Sequence, residues 1–99
     1  MATDTDTDNA IIVNTAGERC PMPLMKTRRA VAQAKARGQQ RISVWATDLM
    51  FEIDVQAAAD IEQAYPHITV HREALPEAFA NARAEAGTQA IRVDLSVEA

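Results

Sequence analysis

Cysteine occurs once in this 99-residue chain, as Cys20, so no intrachain disulfide can form and no second thiol is present to resolve a sulfur adduct internally. Positive charge is also short. Ten Lys and Arg stand against fourteen Asp and Glu, giving a net charge of −4. That balance excludes a protein whose affinity depends on phosphate-backbone contacts, and direct nucleic-acid binding is not expected. No apolar run approaches the roughly 18 residues a membrane span needs. The opening MATDTDTDNA lacks the basic start and apolar middle of a signal peptide, so a cytoplasmic location is expected, where a lone thiol stays reduced. There is no Gly-rich phosphate loop. The two histidines, His67 and His71, lie on one predicted strand about 13 Å apart and cannot share an ion. No cofactor and no metal is predicted.

Nearly half of the residues, 47%, are apolar and 24% are charged, the balance of an ordinary folded domain. Residues 1–9 alternate Thr and Asp and read as a disordered acidic tail; residues 10–99 form one domain. "IIVN" at 11–14 reads as a strand that leaves through Thr-Ala-Gly. From Met22 to Arg37 a helix is expected, with Leu24, Thr27, Ala30, Val31 and Ala34 on its buried stripe and Gly38 ending it in the left-handed conformation. "RISVWA" at 41–46 alternates as a second strand. Asp48 is placed to cap a second helix through Phe51, Val55, Ala58 and Tyr65, which Pro66 stops. "HITVH" at 67–71 and the alternating "IRVDLSV" from 91 supply two more strands. Between them, 75–87 predicts a short third helix from Pro76 to Gly87, with a loop insertion as the alternative. One buried and one wet strand face imply an α/β chain of α+β type: a two-layer sandwich, its four-stranded mixed sheet covered on one face by two helices.

Cys20 falls just before the first helix, in "GERCPMPLMKTRR". Pro21 or Pro23 then occupies the first turn, where the missing N–H is tolerated, and fixes the direction of the thiol. The helix N-terminus, with Arg19 adjacent and Lys26 and Arg28 within reach, predicts a lowered thiol pKa. The alternative is a small buried apolar residue, as many free cysteines are.

Gly17, Cys20, Pro21 and Pro23, placed between a first strand and a first helix, resemble the Gly-x-x-Cys-Pro-x-Pro signature of the TusA/SirA-like sulfur carrier proteins. The element order β-α-β-α-β-β extends the likeness over most of the chain. The resemblance implies that Cys20 accepts sulfane sulfur as a persulfide from a donor such as a cysteine desulfurase or a rhodanese. It then relays that sulfur to an acceptor thiol on a DsrE/TusD-like or heterodisulfide-reductase-like protein, in sulfur oxidation or thiolation. Asp48 and Asp54 match two acidic positions of thiolation members, while Leu49 replaces a proline and Ile53 stands where an arginine is usual.

Other residues admit two readings. Trp45, on the polar side of its strand, marks a docking surface or, by a register slip of one residue, belongs to the core. Met22 is a docking candidate beside the thiol, whereas Met25 is assigned to packing. Lys26, Arg28, Asp48 and Asp54 are further docking candidates, although basic residues on a helix commonly form only its solvated face and Asp48 is also explained as a cap. Functionally, a non-catalytic interaction module with Cys20 as a redox handle is the alternative to a carrier; a thiol hydrolase using a histidine base lacks any local signature.

Overall fold

The computed structural model describes residues 3–5, 10–38, 41–62 and 67–97. Its strands are β1 (Thr3–Thr5), β2 (Ala10–Thr15), β3 (Arg41–Ala46), β4 (His67–Ala74) and β5 (Gln89–Ser96); its helices are α1 (Met22–Arg37) and α2 (Phe51–Glu62). The sheet order is β1-β2-β3-β5-β4. β2 and β3 run parallel, joined by the α1 crossover, and the remaining pairs are antiparallel. The four strands expected from periodicity thus make the mixed sheet. Thr3–Thr5, inside the segment read as a tail, adds a short edge strand against β2, with Asp4 opposite Ile12.

Alternation builds the helix-side core. Ile11, Val13, Ile42, Val44, Ile91, Val93 and Leu95 turn to one face and meet Ala30, Val31, Ala34, Phe51, Val55 and Ala58 from the two helices. The small residues of α1 let it lie close to the sheet; Ala30 and Ala34 are fully enclosed. Thr27, also buried, returns its hydroxyl proton to the Pro23 carbonyl at 2.8 Å, so no polar atom there is left without a partner. Gly38 ends α1 at φ 70°, its N–H bonded to the carbonyls of Ala34 and Lys35. The expected stop of α2 at Pro66 lies outside the described residues.

The third helix does not form. Only Glu77–Phe79 makes a single 3₁₀ turn, and Ala80 is already extended. Asn81 explains why: its side-chain oxygen accepts from the N–H groups of Arg83 and Ala84, an Asx turn that competes with helical hydrogen bonds, while its amide donates to the Ala16 carbonyl. The insertion therefore folds back over the sheet face away from the helices. Leu75 and Ala84 bury there against Ala16, Trp45 and Ala90. Trp45 is core without any register slip, because this insertion covers it. Its ring lies 5.4 Å from that of Phe79 and carries the Arg92 guanidinium at 5.9 Å. That excludes Trp45, 6% exposed, from a docking surface.

Candidate functional site

Three segments converge at the C-terminal ends of β2 and β3: the turn between β2 and α1, the turn between β3 and α2, and the insertion. Parallel pairing of β2 with β3 brings the first two side by side. Gly17 is where they meet the third. Its φ is +80°, and a Cβ built on it would stand 2.4 Å from the Cβ of Arg83, so only glycine admits this approach. Its N–H donates to the Thr47 hydroxyl at 2.8 Å.

Cys20 is exposed at the start of α1. Pro21 is the residue before the first helical turn, joined to Cys20 by a cis peptide bond, and Pro23 is buried within that turn. Asp48 links the two turns. One carboxylate oxygen accepts from the Cys20 N–H at 2.8 Å and the other from the Met50 N–H at 3.1 Å, while its carbonyl takes the Phe51 N–H. It therefore starts α2, as expected of a cap, and also holds the cysteine loop.

The electrostatics reverse the expectation of a lowered thiol pKa. The Asp54 carboxylate accepts a hydrogen bond from the Cys20 thiol, and this bond, with loss of hydration and the negative charges of Asp54 and Asp48, raises the pKa above its ordinary value. The basic residues of the motif act elsewhere. Lys26 is held by Glu18 at 2.6 Å, and Arg19 and Arg28 are exposed without contributing to the thiol's environment. Spacing along α1 could not show this, because the groups facing Cys20 come from α2 and the turn before it.

Around the thiol lies an apolar collar. Met22 and Met25 project from α1, Leu49 and Met50 from the turn before α2, and Ile53 from its first turn; these five are the exposed large apolar side chains of the described residues, Ile53 at 60%. Met25 is thus surface rather than packing. The sequence signal for the second half of the collar was the pair of apolar residues Leu49 and Ile53, read above as departures from thiolation members.

A sequence-family model described as sulfurtransferase TusA matches residues 11–73, well over half of the chain. The protein belongs to the TusA family. The match begins within β2, spans the cysteine turn and both helices, and ends in β4, so the insertion at 75–88 lies beyond it. No curated protein and no solved structure gives a significant match. Membership makes the chain a sulfur carrier or sulfurtransferase in the general sense, a class that works with sulfur donors and acceptors. Among the described residues no helix is long and apolar enough to cross a membrane, and no group of three potential metal ligands is found.

Proposed function

We propose that Cys20 is the residue that carries sulfur, as a persulfide received from a donor protein and passed to the thiol of an acceptor. The observation that carries this reading is the setting of the only thiol: exposed, at a proline-fixed helix start, where the two segments that meet carry all five exposed large apolar side chains of the described residues. Exposed apolar groups clustered about a reactive atom suit a surface that another protein covers while transfer takes place.

Transfer from a donor persulfide needs no oxidant: the Cys20 sulfur attacks the outer sulfur of R–S–SH, the donor S–S bond breaks, and Cys20–S–SH and R–SH result. The thiol proton leaves through Asp54, the carboxylate already bonded to it, and ends on the departing thiolate. Asp54 and Asp48 then act on the product. A persulfide anion beside two carboxylates is less stable than a neutral thiol there, so the loaded state favours giving its sulfur away. Gly17, Pro21 and Pro23 hold the loop, and Met22, Met25, Leu49, Met50 and Ile53 receive the partner. The donor is a cysteine desulfurase or a rhodanese and the acceptor a thiol protein of sulfur oxidation or thiolation, within the cytoplasm.

The raised thiol pKa favours a second reading, a binding module in which sulfur plays no part. Intact mass after incubation with a persulfide-loaded donor separates the two. A gain of one sulfur, removed by dithiothreitol and absent in Cys20→Ser, supports the carrier; an inert Cys20 with several donors supports the module.

A further inference from the structure

Next to the apolar collar, and sharing Leu49 with it, lies a polar groove of about 750 Å³ bounded by the insertion. Gly17, Arg19 and Asp48 form one wall, and Arg83, Glu85 and Thr88 the other. Its volume is within the range of small-molecule sites, about 300–1,000 Å³. Glu18 is paired with Lys26, and both oxygens of Asp48, which keeps its charge, already accept from backbone N–H groups. The side chains of Arg19, Arg83 and Glu85 make no ion pair or hydrogen bond among the described residues. Two guanidiniums and the Glu85 carboxylate are thus the charged groups of the groove that have no protein partner.

Resting on the carrier reading above, the geometry points to a second sulfur source: this groove binds a small peptide persulfide with two carboxylates and one ammonium, the charge set of glutathione persulfide. Each arginine takes one ligand carboxylate, in the forked geometry that guanidinium and carboxylate share, and Glu85 takes the ammonium. Arg19, which lines the groove, precedes Cys20 in the chain, and Asp48 in the groove wall accepts from the Cys20 backbone N–H, so the cysteine loop borders the groove. The reaction balances without a further reagent: Cys20–SH and G–S–SH give Cys20–S–SH and G–SH, one S–S bond forming as one breaks. Protein partners use the collar and the small donor uses the groove, so the two donors meet the same sulfur through adjoining surfaces.

Two measurements test this. In the first, S-methylglutathione, which cannot transfer sulfur, is titrated into the full chain and backbone amide shifts are followed. Saturable shifts at Gly17, Arg19, Arg83 and Thr88, weakened about tenfold by Arg83→Glu, are expected. Their absence overturns the inference whatever Cys20 does. In the second, Cys20 loading is timed by intact mass. Loading from glutathione persulfide should saturate and fall about tenfold in Arg83→Glu, with inorganic persulfide unaffected. Loading linear in glutathione persulfide and equal in the two proteins overturns the groove and leaves the carrier standing. Saturable binding without any loading keeps the groove and removes the carrier. Unchanged Trp45 emission shows that the variant keeps its insertion docked.

Discussion

At Cys20 the decisive neighbours are carboxylates. A thiol that donates to Asp54 and faces Asp48 is held protonated at neutral pH, which protects a solitary exposed sulfur from adventitious oxidation until a partner covers it. The pH dependence has a definite sign. A raised pKa means that thiolate is gained only as pH climbs above the ordinary thiol range, so loading from a small persulfide should rise through and beyond pH 9 rather than level off near neutrality. Asp54→Asn removes the charge and lowers that pKa. The gain in thiolate, only partly offset by the lower nucleophilicity of a less basic sulfur, should speed alkylation at pH 7 relative to the wild type. Gly17→Ala should destabilise the fold by about 1–3 kcal/mol from its positive φ alone, more with the approach to Arg83, as a lower denaturation midpoint. The sequence made the motif visible, because Gly17, Cys20, Pro21 and Pro23 fall within seven residues of one another. It hid Asp54's role, since the contact joins residues 34 positions apart and depends on how α2 meets α1.

Among the elements, α1 was the most legible: the stripe from Thr27 to Ala34, the prolines and Gly38 all state the same helix, and it runs from Met22 to Arg37 as expected. β3 and β5 were equally plain from alternation. The insertion was not. Ala and Glu enrichment in "LPEAFANARAEAG" describes helix propensity, but Asn81 offers its oxygen to two backbone N–H groups and Leu75 and Ala84 find a buried surface, so tertiary burial overrides propensity. The same misreading concealed why a tryptophan on the polar face of β3 is buried. Two anchors hold the insertion besides that ring, the Asn14 amide on the Phe79 carbonyl at 3.1 Å and the Asn81 amide on the Ala16 carbonyl at 3.0 Å. Trp45→Phe should leave the insertion docked, whereas Trp45→Ala should cost about 3–5 kcal/mol and loosen it, visible as faster amide exchange at Asn81 and Ala84.

For the whole molecule, helices and sheet place one thiol at a junction of three segments with an apolar face and, next to it, a polar groove. The layered fold was legible because nearly every strand alternates; the pairing of face and groove was not, because it depends on where the insertion folds back. Ile53→Glu, which adds charge to a 60% exposed position without disturbing the core, should slow transfer from a protein donor about tenfold or more. Transfer from a small inorganic persulfide to the same variant should be unchanged, a split that separates docking from sulfur chemistry. The account rests above all on sulfur residing at Cys20, and intact mass spectrometry of the reduced protein after reaction with a persulfide-loaded donor reads this directly. It predicts a gain of one sulfur atom that dithiothreitol removes and that Cys20→Ser lacks. A wild-type mass that does not change with any donor, or an equal gain in Cys20→Ser, would contradict it.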